Sequence, residues 1–217
     1  MNNGDRDKAY YLLFDFDGTI ADSFKLGHAI INELSTKYGY TAVSEEELNN
    51  MRGLPVFAIL KRLHLPFYKI PFFAHEVKIS LNARLSELCP IAGIPEVLQK
   101  LKANNIPMAL LTSNSIDNVI PFLDKFKMNV FDWFDCDVSL FNKSRHIHRQ
   151  IIKRKLLDYK CIYIGDEVRD IKAAKECNIP IVSVSWGFQS KLQLSTYKPD
   201  NLIDTPSELL SLFSFAG

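Results

Sequence analysis

Five short, continuously apolar runs recur along the chain, and each after the first follows a segment with helical periodicity. They predict strands at Tyr10–Phe14, at Met108–Leu111, near Phe134–Val138, at Cys161–Ile164 and at Ile181–Ser185. A strand with no polar face must be covered on both sides, and strands that alternate with helices pair in parallel through right-handed crossovers. The predicted class is therefore α/β, with a doubly wound, Rossmann-like parallel sheet as its core. Ligands of such sheets bind outside the carboxyl ends of the strands. The chemistry is thus to be sought just after each run.

Between Asp22 and Cys89 the alternation stops, and helical segments follow at Phe24–Tyr38, Ser44–Met51, Val56–Leu63 and His75–Leu88. Ser44 with Glu47 has the pattern of a capping box. The prolines of HLPFYKIPFF are expected to break the helices. Helices inserted after the first strand read as a cap over the sheet's active edge. The expected division is residues 1–21 and 90–217 as core and 22–89 as an α-helical cap domain, which a chain of 217 residues accommodates.

Lys and Arg number 26 against 25 Asp and Glu, so no global field advertises a nucleic acid or an acidic membrane surface. No apolar run has the length needed to span a bilayer, the first residues lack the apolar stretch of a leader, and the four cysteines form no CxxC pair. A soluble protein of a reducing cytoplasm is expected, with Cys136 and Cys161 as small buried thiols.

The first run leads into DFDGT, with Asp15 and Asp17 two residues apart. Extended backbone puts both side chains on one side, and carboxylates so close repel unless a cation lies between them or one keeps its proton. Gly18 permits a turn close to a ligand, and Thr19 is a donor for an oxyanion. Aspartates after strands also cap helices and open turns, so the other strand ends decide. The second run ends in TSN, where Thr112, Ser113 and Asn114 read both as the cap of a helix at Ile116–Phe126 and as an oxyanion or phosphate site. The fourth leads into GDEVRD, with Asp166 and, one helical turn on, Asp170. Acids are common at helix starts, yet parallel pairing would gather these with the first pair, and oxygen ligands with waters suit Mg²⁺. A lysine to balance the phosphate is sought in FNKSRHIHRQIIKRK. Lys143, just past the third run, is preferred, with Lys153 as its rival.

DFDGT at 15–19, TSN at 112–114, Lys143 and GDEVRD at 165–170 resemble, in order and spacing, the motifs of the haloacid dehalogenase (HAD) superfamily, in its branch of phosphoglycolate-phosphatase-like hydrolases with a small helical cap. The resemblance implies Asp15 as a nucleophile that forms an aspartyl-phosphate, and Asp17 as general acid and then base. It implies Thr112 and Lys143 as holders of the phosphoryl group, with Ser113, Asn114 and Gly18 at the same site. Mg²⁺ would be held by Asp15, Asp166 and the main-chain carbonyl of Asp17, and Asp170 would orient water on the metal or Lys143. Arg52, in MRGLP at 51–55, resembles a residue of the family's substrate loop. It is a candidate to bind a substrate carboxylate or second phosphate, with a surface arginine near a helix end as the other reading.

The dehalogenases that name the superfamily lack the second aspartate, so Asp17 favours phosphoryl chemistry. The expected activity is Mg²⁺-dependent hydrolysis of a small phosphomonoester, phosphoglycolate-like or a sugar phosphate, with that metabolite as the partner and the oligomeric state open. A phosphomutase keeps both aspartates and is one alternative. A non-catalytic phosphoacceptor or binding protein is the other, and the inserted cap and Asp17 count against it. The tail is expected to hold a loop and a closing helix with Thr205 as its cap and Pro206 at its first position.

Overall fold

Six strands, β1 (Tyr10–Phe14), β2 (Met108–Leu111), β3 (Trp133–Asp135), β4 (Lys160–Gly165), β5 (Ile181–Val184) and β6 (Asn201–Ile203), form one parallel sheet in the order β3-β2-β1-β4-β5-β6. The coordinates are a computed structural model describing residues 8–52, 54, 56–138 and 142–213. The chain steps outward from β1 to β2 and β3, then returns to place β4 on the other side of β1. β1 is therefore the switch point, where a doubly wound sheet opens a crevice for ligands.

Each central strand is buried on both faces, as its composition requires. Leu12, Phe14, Met108, Leu110, Ile162 and Ile164 pack on one side with α5 (Ile94–Ala103), α6 (Ile116–Lys125) and α10 (Glu208–Leu212). Tyr11, Leu13, Ala109, Leu111, Cys161 and Tyr163 pack on the other with α7 (Lys143–Lys153), α8 (Val168–Glu176) and α9 (Lys191–Thr196).

Between β1 and α5 lie α1 (Ser23–Tyr38), α2 (Glu45–Met51), α3 (Val56–Arg62) and α4 (Ile70–Ala83). They enclose an apolar cluster of their own, with Tyr38, Val43, Met51, Leu60, Leu63, Leu65 and Phe73. The chain leaves the sheet domain and returns to it at adjacent points: the Asp22 N–H donates to the Cys89 carbonyl at 2.8 Å, and the Ile91 N–H to Ile20 at 2.9 Å. The Ser44–Glu47 capping box forms, with the Ser44 N–H donating to Glu47 at 2.9 Å and the Glu47 N–H to the Ser44 hydroxyl at 3.2 Å.

Several boundaries differ from expectation. The third strand stops at Asp135, because the Asp137 and Val138 amides turn back to the carbonyls of Asn114 and Thr112. The fourth inserted helix begins at Ile70 rather than His75, with Pro71 in its first turn, where a missing N–H costs nothing. β6 and α9 were not anticipated. The last helix starts after Ser207, while the Thr205 amide and hydroxyl donate to the Glu208 carboxylate at 2.8 and 3.0 Å. Cys161 is buried and Cys136 half-buried, and all four cysteines are free. Among the described residues no helix is long and apolar enough to cross a membrane.

Candidate active site

Register brings the strand ends together. Phe14 lies beside Leu110 on one neighbour and Ile164 on the other, and the Asp15 N–H donates to the Ile164 carbonyl at 2.9 Å. Asp15, Thr112 and Asp166 therefore leave the sheet at one edge. Lys143, the first residue of α7, reaches back to this edge, its Nζ 2.8 Å from Asp15 Oδ2 and also paired with Asp170. Asp170 sits in the first turn of α8, and its second oxygen accepts the Glu167 N–H at 3.0 Å, which closes a capping box. Asp166 accepts the Thr19 hydroxyl at 3.0 Å and the Phe188 N–H at 2.7 Å. Backbone wraps this carboxylate so closely that a Cβ on Gly18 would lie 2.3 Å, and one on Gly187 2.1 Å, from Asp166 Oδ2. Gly18 also adopts a left-handed φ of 75°.

Carboxylate oxygens of Asp15, Asp166 and Asp170 lie within 4.8 Å of one another, and all three side chains are buried. Burial pushes the Asp15 carboxyl up to about 6, with Lys143 pulling the other way. Burial and then the charges of Asp170 and Asp15 hold Asp166 well above the usual carboxylate range. Burial also opposes the charge on Lys143, but Asp15 and Asp170 outweigh it and keep the ammonium firmly protonated. Three buried carboxylates around one contacting ammonium leave surplus negative charge on hard oxygen donors. That donor set fits a small divalent cation such as Mg²⁺.

Asp17 faces elsewhere. Its Oδ1 accepts the Ser23 hydroxyl at 2.5 Å, and the Asn114 amide lies 3.3 Å from Oδ2. Burial raises its pKa, while these two donors favour the ionised form. Each aspartate of the motif is thus tuned chiefly by burial and its own partners, and not by repulsion between the two as the sequence suggested.

Other candidates fall as follows. The buried Thr112 hydroxyl accepts the Asn114 N–H at 2.9 Å, which leaves its hydrogen for another group. The Asn114 side chain donates to Asp17 and accepts the Ser115 N–H at 2.9 Å. The Gly18 N–H is bound to the Ala21 carbonyl at 2.9 Å, and the Thr19 hydroxyl, read as a donor for an oxyanion, donates to Asp166. Ser113 is exposed. Lys153 is exposed at the far end of α7 and stands apart from the acids. The carboxylate of Asp17 is outside the acidic trio. Sequence reasoning missed Ser23, the Phe188 amide and Arg169. Arg169 pairs with Glu167 at 2.5 Å, and its position among the three acids of GDEVRD was the available signal.

A cavity of about 680 Å³ opens beside Asp17, Ser23 and Asn114 and extends among α1, α3 and α4. Arg52, just past α2, lines it, stacks 4.3 Å from the Phe24 ring centroid and donates to the Trp186 carbonyl at 3.3 Å. Among the described residues the buried Nε atoms of Arg52 and Arg169 have no partner, and both side chains line this cavity. Gly53 and Pro55 of the MRGLP segment lie outside the described residues.

A family model described as haloacid dehalogenase-like hydrolase matches residues 12–184. A phosphoglycolate phosphatase of Synechococcus elongatus is 28% identical over 200 residues, covering 92% of this chain and 94% of that protein. The pyrophosphatase PpaX of Bacillus anthracis is 29% identical over 217 residues, covering 94% and 95%. Among solved structures, a haloacid dehalogenase-like family hydrolase from Streptococcus pneumoniae superposes with a TM-score of 0.78 at 21% identity, covering 95% of this chain and 99% of the other. That last likeness is one of fold.

Proposed function

The chain belongs to the haloacid dehalogenase-like hydrolases, and from that premise we propose that it is a Mg²⁺-dependent phosphatase of small phosphomonoesters. The observation that carries this reading is the division between the two aspartates of DFDGT. Asp15 is buried against an ammonium, and Asp17 stands at the cavity with its carboxyl held above the usual range.

Asp15, oriented by Lys143, attacks phosphorus and forms an aspartyl-phosphate as the bond from phosphorus to the leaving oxygen breaks. Asp17 gives its proton to that oxygen. Once ionised, it takes a proton from the water that attacks the aspartyl-phosphate, so that inorganic phosphate leaves and both carboxyls return to their starting states. Lys143 and the Thr112 hydroxyl face the phosphoryl oxygens and offset their charge. Asp15, Asp166 and the main-chain carbonyl of Asp17 would hold Mg²⁺, which when bound would supply further positive charge against those oxygens. Asp170 holds Lys143 in place. Residues 22–89 act as a cap over this edge, and Arg52, with its unpartnered Nε, contacts an anionic part of the substrate from the cap.

The names of the relatives support a phosphorylated small molecule, so phosphoglycolate and sugar phosphates form the first panel. With Mg²⁺ present, inorganic phosphate should be released, EDTA should stop it, and Asp15→Asn should lower it by about a thousandfold or more. An isomerised ester in place of inorganic phosphate, or undiminished release by Asp15→Asn, would sink the reading.

A further inference from the structure

The cavity beside Asp17 is larger and more apolar than a two-carbon phosphate ester requires. Its polar lining includes Asp17, Arg52, Asn114, Asn118, Arg169 and Gln189, and it runs into the inserted helices, where Phe24, Ile31, Leu54, Leu60, Phe73 and Val77 line it. Its volume of about 680 Å³ is that of a site for an organic ligand. His28, a polar side chain deeper in the lining, already bonds the Val43 carbonyl at 2.7 Å. The hydroxyls of a sugar would meet this apolar lining with little to bond, and burying them so is unfavourable.

Gly27 borders the same open space. It lies inside α1 and lines the cavity. Glycine is the poorest helix former after proline, and the φ of Gly27 is not left-handed. A Cβ added there would meet nothing within 4 Å. Neither backbone conformation nor a close neighbour calls for glycine at this position. What its missing side chain preserves is room in the chamber.

We propose that the chamber receives an apolar leaving group, so that the substrates are phosphomonoesters of aliphatic or aromatic alcohols whose ester oxygen lies at Asp17. This rests on the phosphatase reading above and narrows its substrate class. The charged groups at the mouth serve the phosphate end, and the alcohol end fills the volume bounded by α1, α3 and α4.

The test is a series of alkyl phosphates from ethyl to hexyl, followed by phosphate release with Mg²⁺, beside calorimetric binding of the matching alkyl phosphonates. Each buried methylene is worth about fourfold, so kcat/KM should climb on the order of a hundredfold across the series. Gly27→Leu, which puts an isobutyl group into the chamber, should lower the hexyl-to-ethyl ratio by about tenfold. A flat or falling series in a protein that releases phosphate from phosphoglycolate overturns the chamber's role and leaves the phosphatase standing. An unchanged ratio in a folded Gly27→Leu protein also overturns it. If no ester is hydrolysed, hexylphosphonate binding on the order of a hundredfold tighter than ethylphosphonate keeps the chamber and removes the phosphatase reading. Loss of both effects removes both, whether or not the variant folds.

Discussion

Asp17 owes its position to two donors outside the DFDGT motif, the Ser23 hydroxyl and the Asn114 amide. A donor to a carboxylate stabilises the ionised form and works against burial, which is the larger influence on this group. Removing the hydroxyl with Ser23→Ala should therefore raise the pKa of Asp17 further, and the acid form should persist to higher pH. If Asp17 is the general acid, the alkaline limb of kcat/KM against pH moves upward in this variant, and a limb that stays put would separate Ser23 from proton transfer. Asp15, Asp17 and Asp166 could be read from the sequence because each directly follows or nearly follows an apolar run. Ser23 could not, because it reads as an ordinary residue of a helix's first turn, and which way its hydroxyl points depends on how α1 meets the strand end. That the Asn114 amide would reach Asp17 was not legible either, since side-chain direction in a turn does not follow from strand alternation.

At the scale of elements, α8 begins with a residue that serves two neighbours. Asp170 closes the capping box of the helix with one oxygen and pairs with Lys143 through the other. These roles are separable. Asp170→Asn keeps an acceptor for the Glu167 N–H but loses the attraction that steadies Lys143, so phosphate release should fall by about ten- to a hundredfold, as for other supporting partners of catalytic groups. Its melting temperature should remain near that of the wild type. Asp170→Ala loses the cap as well, which should cost about 1 kcal/mol of stability in denaturant unfolding. Equal destabilisation by both substitutions, with activity intact in the Asn form, would reduce Asp170 to a helix cap. The central strands were legible because their apolar runs are unbroken, a consequence of burial on both faces. β6 was not, since Asn201–Ile203 is three residues long at the sheet edge and only Ile203 is buried. The start of α4 was misjudged because a proline in a helix's first turn and a proline that breaks a helix look alike in sequence.

Over the whole molecule, a net charge of +1 conceals a concentrated surplus of acid at one edge of the sheet. That surplus couples folding to pH and to metal. The Asp15 carboxyl sits at about 6 in the folded chain against an ordinary 3.8, so the folded state holds its proton more tightly than the unfolded one. Stability from this group is complete below about pH 4 and is lost as pH rises toward 6, by on the order of 3 kcal/mol. Asp166 shifts in the same direction, whereas the lowered carboxyls of Glu47, Glu87 and Asp204, which are exposed, and of Glu76 and Glu208, which are half-buried, act oppositely from the surface, where solvent screens them. A divalent cation that binds the folded chain alone adds stability by mass action, and does so most where the acids are ionised. Mg²⁺ should therefore raise the melting temperature clearly at pH 7.5 and little at pH 5. Asp166→Asn should shrink that response and make the metal-free protein less sensitive to pH between these values, because one of the three crowded charges is gone. The comparison of the two proteins cancels the contribution of the surface carboxyls, which both share. A Mg²⁺ response of equal size at both pH values, or one that survives Asp166→Asn, would place the bound cation away from the strand ends.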